Sequence, residues 1–224
     1  MKYIKYYIIF ILVSCALFLI PQTSFARENV DYWYIKDFRS NIVVNADSSL
    51  DITEMITADC GDAIGKHGIF RVIPTRYSPS RGKYVETPIT LLSITNFSDV
   101  PYKYTSTKDR TNHTLSWKIG DPNVTVSGVN YFKIHYKVDN VIRFNNSGFD
   151  EFYWNLNGNY WDMETDHFIA TIIYPNAVNK DKSEVNLYSG DFGESKNIVA
   201  DYKWQESNII IVESNKTKSR KNNI

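Results

Sequence analysis

Acidic and aromatic residues concentrate in one segment of the sequence, DEFYWNLNGNYWD, which spans 150–162. Five carboxylates lie in this segment or just after it: Asp150, Glu151, Asp162, Glu164 and Asp166. A glycosidase needs two carboxyl groups about 5–10 Å apart across a cleft, one of them a proton donor. Nothing in the sequence assigns these two roles, and acidic residues near turns are usually solvated. We therefore expect no catalytic residue here.

The aromatic residues of the same segment allow two interpretations. Asn157-Gly158 is the dipeptide typical of a type I′ hairpin turn, because both central positions of that turn need a positive φ. Such a hairpin would place Trp154 opposite Trp161, and the paired rings would stabilise it by roughly 0.2–1 kcal/mol. The rings of Trp154, Tyr160 and Trp161 either pack as this hairpin or, with the nearby acids, form a platform for carbohydrate.

A second cluster, GKHGIFRVIP at 65–74, places His67 and Arg71 among glycines, apolar residues and a proline. Pro74 ends any strand ladder. An arginine buried among apolar neighbours needs a planar acceptor, most simply a carboxylate bound through two hydrogen bonds. We predict that Arg71 pairs with an acid of the later segment, which is Asp150, Glu151 or Asp162. The cluster is thus interpreted as a corner of the chain and not as a catalytic loop.

Nucleophilic and metal chemistry have little support in the sequence. Cys60 and His67 could form a thiol nucleophile and its base, although a lone cysteine is more often a small packed residue. The only other cysteine, Cys15, lies in the apolar leader, so no disulfide is expected after it. The four histidines lack the spacing of metal ligands. We expect no metal site and no cofactor.

Short strands are the elements that would position these residues. Tyr131–Val138 is the clearest, because its apolar residues alternate with polar ones: Phe132, Ile134, Tyr136 and Val138 share one face. The segments on either side of NADSS predict a hairpin. Further strands are predicted at Trp33–Arg39, Ile89–Asn96, Leu115–Ile119, Glu151–Leu156, Phe168–Tyr174, Glu184–Tyr188 and Ile209–Val212. These patterns predict an all-β fold, an antiparallel β-sandwich of immunoglobulin-like architecture.

The first 26 residues have the pattern of a signal peptide. Lys2 and Lys5 precede the apolar run Ile8–Ile20, and Ser24-Phe25-Ala26 offers small residues for cleavage. We expect cleavage after Ala26, with an uncleaved anchor or a lipidated Cys15 as the other routes to a membrane. The predicted organisation is a signal peptide at 1–26, one sandwich domain at 30–212 and a basic disordered tail at 213–224.

The charge of the body disfavours nucleic acid as a partner. Arg27–Asn215 contains 19 basic and 25 acidic residues, a net charge of −6. With the leader, this predicts an exported protein that is periplasmic, secreted or displayed at the cell surface. Its partner is then a protein or a polysaccharide of the envelope.

Four segments together resemble the domain-of-unknown-function 2207 family of predicted membrane proteins: WYIKDF, HGIFRVIP, IGDPNVTVSGVNYFKIHYKVDNVI and DEFYWNLNGNYWD. The resemblance covers Trp33 to about Tyr188. It implies an exported β-rich ectodomain that transmembrane helices follow in family members, and it supplies no activity and no catalytic residue. On this resemblance we expect either a truncated member or an interrupted gene, and an unpaired edge at the NIIIVES strand.

Two functions follow from the sequence. The first is an exported, non-catalytic domain that binds or scaffolds an envelope protein or polymer. The alternative is a carbohydrate-binding or carbohydrate-active module that uses 150–166. The candidate binding residues are His67, Arg71, Asp150, Glu151, Trp154, Tyr160, Trp161 and Asp162.

Overall fold

A computed structural model describes residues 27, 30–80, 82–144, 148–178, 180–188 and 200–214. The described residues contain fourteen strands and one short 3-10 helix at Lys180–Lys182. The strands are β1 Tyr34–Val44, β2 Leu50–Asp59, β3 Gly68–Pro74, β4 Arg76–Ser80, β5 Lys83–Glu86, β6 Ile89–Thr95, β7 Tyr104–Asp109, β8 Thr114–Gly120, β9 Val129–Val138, β10 Ile142–Arg143, β11 Glu151–Phe152, β12 Thr165–Ile173, β13 Asp201–Glu206 and β14 Ile209–Ser214. The all-β prediction is confirmed.

Seven strands form the larger sheet, in the order β13-β14-β12-β1-β2-β9-β6. The predicted hairpin across NADSS joins β1 to β2, and the two strands pair from Val44↔Leu50 to Tyr34↔Asp59. Asp47 closes its turn, because its Oδ1 atom accepts hydrogen bonds from the main-chain N–H and the hydroxyl of Ser49, at 3.0 and 2.6 Å.

One strand pair in this sheet is parallel, which the predicted antiparallel sandwich did not include. β1 and β12 run in the same direction, with Phe38 beside Phe168 and Ile42 beside Ile172. The alternation of apolar residues is the same in parallel and antiparallel strands, so it does not encode strand direction. The direction is set by the long connection between β9 and β12, which returns the chain to the starting end of β1.

A three-stranded sheet, β3-β8-β7, supplies the facing layer. Its apolar side chains, among them Ile69, Ile73, Trp117 and Ile119, join one buried cluster with the inward residues of β2 and β9. The ring of Trp117 meets that of Tyr136 edge-on, with the ring centroids 5.4 Å apart. The predicted inward set of β9 is confirmed: Phe132, Ile134, Tyr136 and Val138 are all at most 2% exposed. Two layers sharing one apolar interior make the arrangement sandwich-like.

The segment 150–162 is not the predicted hairpin. Within it the only strand is β11, Glu151–Phe152, which pairs with β10. Gly158 has a φ of +84°, but Asn157 is not in the left-handed region, so the type I′ turn is absent at these two described residues. Trp154 and Trp161 are therefore not cross-strand partners. The strong local turn signal is overridden because the segment packs over the core instead of pairing with itself.

Two further strand predictions need correction. Glu184–Tyr188 forms no strand, although Val185 and Leu187 pack against the core; burial produced the alternation without a ladder. The NIIIVES strand, β14, is not an edge, because β13 pairs with it on the side away from β12. β14 also continues to Ser214, two residues into the predicted tail. The predicted signal peptide at 1–26 and the rest of the tail lie outside the described residues.

Candidate functional site

Arg71, from the HGIFRVIP segment, is a buried ion-pair partner inside the sandwich. Its side chain is 3% exposed and that of Glu54 is 1% exposed. Nε and Nη2 of Arg71 donate hydrogen bonds to the two carboxylate oxygens of Glu54, at 2.8 and 2.6 Å. The hydroxyl of Tyr136 donates a third, at 2.7 Å. A bidentate carboxylate was correctly predicted, but its assignment to Asp150, Glu151 or Asp162 was wrong.

The charge of this pair is fixed by its surroundings. Burial acts to lower the pKa of Arg71, but the charge of Glu54 and its hydrogen bonds outweigh that effect and the pKa is raised. Burial, together with the neighbouring Glu54 carboxylate, raises the pKa of Tyr136 well above its usual value. Tyr136 therefore remains a hydrogen-bond donor, and the cluster is structural because it has no exposed atom to offer to a ligand.

The aromatic segment covers this ion pair. The ring of Trp161 lies 5.4 Å from the guanidinium carbon of Arg71 and packs edge-on against Phe38. Its indole N–H donates a 2.6 Å hydrogen bond to the carbonyl of Asn157. A Cβ on Gly158 would lie 2.1 Å from Nη1 of Arg71. Only 8% of Trp161 is exposed, so its ring face is unavailable to carbohydrate.

The remaining candidate residues do not converge on one place. Trp154 is half-buried against the core, Tyr160 is 48% exposed, and Asp150 and Asp162 are exposed. Glu151 forms an ion pair with Arg143 on the surface at 3.2 Å. His67 contacts the carbonyl oxygen of Val124 through Nδ1, at 2.9 Å. The platform envisaged for 150–166 therefore lacks its central ring.

The thiol interpretation is also wrong. Cys60 is 0% exposed, and its sulfur lies 3.7 and 3.6 Å from the carbonyl oxygens of Val126 and Gly128. Burial, followed by the charge of Asp59, raises the pKa of the thiol. A buried thiol with a raised pKa is a poor nucleophile, and the Nδ1 contact of His67 is to a carbonyl and not to this sulfur.

The open face of the seven-stranded sheet carries a groove that sequence reasoning missed. Its volume is about 470 Å³, and its lining residues are Asp37, Arg39, Asn41, Met55, Thr57, Phe97, Ile169 and Thr171. Seven of them come from β1, β2 and β12, the three central strands, and Phe97 comes from the turn after β6. The outward positions 37, 39 and 41 of β1 alternate with buried Phe38, Ser40 and Ile42, and that alternation was the available signal.

A string of charged groups fixes one end of the groove. Asp37 accepts a 2.8 Å hydrogen bond from Nε of Arg39 and contacts Nδ1 of His167 at 2.6 Å. The other ring nitrogen of His167 lies 3.1 Å from Oε1 of Glu213. Burial acts to lower the pKa of His167, but the hydrogen bonds and charges of the two carboxylates outweigh it and the pKa is raised. Both ring nitrogens can donate to carboxylates only when the imidazole is protonated.

Neither the groove nor its surroundings assemble a metal centre. In the described part of the chain, no three histidine, cysteine, aspartate or glutamate side chains are placed to hold one ion. The string Asp37–His167–Glu213 illustrates why, because its carboxylates contact opposite nitrogens of the ring and do not point at a common centre.

The fold and the groove define a β-sheet domain with two different faces. One face of the large sheet is covered and forms the core, and the other is open and carries the groove. The chain belongs to the family described as the predicted membrane protein (DUF2207) N-terminal domain, which matches residues 34–219. The resemblance recognised in the four sequence segments is thereby confirmed. In the described ranges, no helix has the length and apolar character needed to span a bilayer.

Among the solved structures that the chain resembles are two hydrolases and a putative protease. A yeast LTA4 hydrolase in complex with bestatin is 10% identical, with a TM-score of 0.51 over 91% of this chain and 31% of that one. A native leukotriene A4 hydrolase from Saccharomyces cerevisiae is 9% identical, with a TM-score of 0.49, covering 94% of this chain and 32% of that one. A putative protease from Parabacteroides distasonis is 12% identical, with a TM-score of 0.39, covering 87% and 36%.

This chain spans about a third of the length of those structures. At such low identity the first of them bears on the fold alone and carries no catalytic residue over to this chain. No curated protein matches the chain by sequence.

Proposed function

We propose that this protein is an exported, non-catalytic domain of the cell envelope whose open sheet face binds an extended segment of an envelope polymer or protein. The groove on that face is the observation that carries the proposal. It is concave, it lies at the centre of the sheet, and its polar groups project from strands whose main chains are paired on both sides.

The leader pattern and the family support the location. Lys2, Lys5, the apolar run Ile8–Ile20 and the small residues before Arg27 favour export, and the family is one of predicted membrane proteins. A net charge of −6 over Arg27–Asn215 disfavours nucleic acid as the partner.

Retention of the purified protein on envelope fractions tests the proposal. Asn41 is exposed in the groove, so Asn41→Trp would fill the groove without disturbing the core. The matched control is Asn186→Trp, which places the same ring at an exposed position that does not line the groove. We expect retention by the native chain and by the control, and loss with Asn41→Trp. Retention that both variants leave unchanged would overturn the assignment of function to this groove.

A further inference from the structure

We propose that the groove receives a carboxylate-bearing segment of a polysaccharide, a uronic-acid chain, and that Arg39 binds its carboxylate. This inference rests on the proposed function, because it names the ligand class of the same groove. It concerns Arg39, which is not among the candidate binding residues predicted from the sequence.

Arg39 is oriented by one hydrogen bond within the protein, and its remaining donors are available to a ligand. Its Nε donates to Asp37, which His167 holds from the other side. The two terminal nitrogens of Arg39 make no hydrogen bond to any described residue, and 61% of the side chain is exposed. The guanidinium is therefore fixed in direction and presents its free donor edge to solvent in the groove. That edge matches a planar carboxylate, which accepts two parallel hydrogen bonds.

The neighbours of Arg39 make this edge more effective than an ordinary surface arginine. Met55 and Ile169 flank Arg39 in register on the two adjacent strands, and both line the groove. These apolar walls would exclude water from the guanidinium only once a ligand covers the groove. A charge-assisted hydrogen bond is stronger where less water competes for it.

The other polar side chains of the groove can form hydrogen bonds with the hydroxyl groups of a ligand. Within the described ranges, the side chains of Asn41, Thr57 and Thr171 make no hydrogen bond to the protein, and all three line the groove. A carboxamide and two hydroxyls can both donate and accept, as sugar hydroxyls do. Thr57 and Thr171 lie two strands and four residues apart, which corresponds to about 16 Å at ordinary sheet spacings. The ligand is therefore a chain of several units and not a single small molecule.

A sugar chain fits this surface better than a peptide does. The main chains of β1, β2 and β12 are paired on both sides, so a peptide crossing this face has no strand edge to extend. Phe97 lines the groove and is 37% exposed, with its ring centroid 5.0 Å from that of Tyr131. An aromatic face of this kind packs against the apolar face of a sugar ring.

The surrounding charges favour a polymer whose carboxylates are spaced apart. Asp37 pairs with Arg39, Glu213 lies beyond His167 two strands away, and the body of the chain is acidic overall. A chain with more than one negative charge per unit would be repelled more strongly by these carboxylates than a chain with one carboxylate per sugar, which can reach Arg39 while its hydroxyls contact the threonines.

Calorimetric titration with trigalacturonate tests the inference, with the fully methyl-esterified trisaccharide as the uncharged probe. Arg39→Gln removes the guanidinium, and Arg39→Lys keeps the charge but loses the planar edge. Arg110→Gln is the control, because Arg110 is exposed in the turn between β7 and β8. We expect trigalacturonate to bind the native chain and Arg110→Gln alike. Both Arg39 variants and the methyl ester should bind about tenfold more weakly or worse. Unchanged thermal unfolding of the Arg39 variants excludes misfolding.

The outcomes separate this inference from the proposed function. Envelope retention that Asn41→Trp abolishes, together with no binding of trigalacturonate, would overturn the uronic-acid assignment and leave the groove as the binding site. Binding of a hexaglutamate peptide that is lost in Arg39→Gln, without binding of trigalacturonate, would overturn the sugar chain in favour of an acidic peptide. Trigalacturonate binding that Arg39→Gln leaves intact would overturn the role of Arg39.

Discussion

Arg71 and Glu54 meet inside the sandwich, on facing layers, through hydrogen bonds of 2.8 and 2.6 Å. Arg71 comes from the three-stranded sheet and Glu54 from β2 of the seven-stranded sheet, so the pair ties the two layers together. Trp161 and Gly158 lie over the guanidinium and connect the long β11–β12 segment to the same point. The stability of the fold should therefore depend strongly on this pair remaining intact.

Removing one partner of the pair should be costly. Glu54→Gln leaves the guanidinium of Arg71 buried without a counter-charge, and we expect a loss of about 3–5 kcal/mol in the free energy of unfolding. Urea denaturation measures it. Glu151→Gln is the control, because it removes a carboxylate from the surface pair with Arg143 and should cost at most about 1 kcal/mol. Equal small losses in both variants would contradict the dependence on the buried pair.

Replacing both partners should recover much of that loss. In Glu54→Leu combined with Arg71→Met, neither a buried charge nor its unpaired partner remains, and pairs replaced in this way are often neutral or stabilising. We expect the double variant to unfold at a higher urea concentration than Glu54→Gln. Because the side chain of Tyr136 would lose its acceptor, the recovery should be incomplete. A double variant less stable than the single one would argue that the pair contributes net stability beyond mutual neutralisation.

Gly158→Ala tests the close approach of the aromatic segment to Arg71. The new Cβ would meet Nη1 at 2.1 Å, and that nitrogen belongs to a side chain held by Glu54. Gly65→Ala is the matched control, because Gly65 also has a positive φ, +74° against +84°, but no atom within 4 Å of its added Cβ. Both variants carry the backbone strain of about 1 kcal/mol, and only Gly158→Ala adds the steric conflict. We expect the lower melting temperature for Gly158→Ala, and equal melting temperatures would contradict the packing of this segment on Arg71.

The alternation of apolar and polar side chains predicted the strands that bury one face, because this pattern is local in the sequence. β9 and the β1–β2 hairpin follow from a period of two and from turn formers, both of which depend only on neighbouring residues. The partner of Arg71 was also within reach, because Glu54 occupies an inward position between buried Ile52 and Ile56. Alternation places Glu54 inward, but it does not encode which inward carboxylate faces β3 across the core.

The groove depends on relations that no local pattern contains. Its walls require β12 to pair in parallel with β1, in the register that sets Ile169 beside Arg39. Phe97 lines the groove from the turn after β6, a strand two places away from β2 in the sheet. The β13 strand was missed for a related reason, because its residues are mostly exposed and show no apolar alternation.

The thiol of Cys60 should be protected in the folded protein. Cys15→Ser leaves Cys60 as the only cysteine of the chain, so a colorimetric disulfide reagent reports on it alone. We expect no reaction under native conditions and one thiol per chain in denaturant, because the sulfur is 0% exposed and its pKa is raised. Cys60→Ser in the same background is the blank. Rapid reaction of the native chain would restore the interpretation as a reactive thiol.

His167 should make the stability of the sheet depend on pH. Burial acts to lower the pKa of His167 in the folded state. Asp37 and Glu213, which contact its two ring nitrogens, outweigh burial, so the pKa is raised. The stabilisation is therefore complete below the unfolded pKa of about 6.5 and is lost as the pH rises through the higher folded value. For the native chain, the urea concentration at the midpoint of unfolding should decrease as the pH rises from about 6.5 through the folded pKa of His167. His167→Gln should flatten that decline, whereas His67→Gln, at a histidine that contacts only a carbonyl through Nδ1, should keep it. A decline that persists unchanged in His167→Gln would show that another group carries the pH dependence.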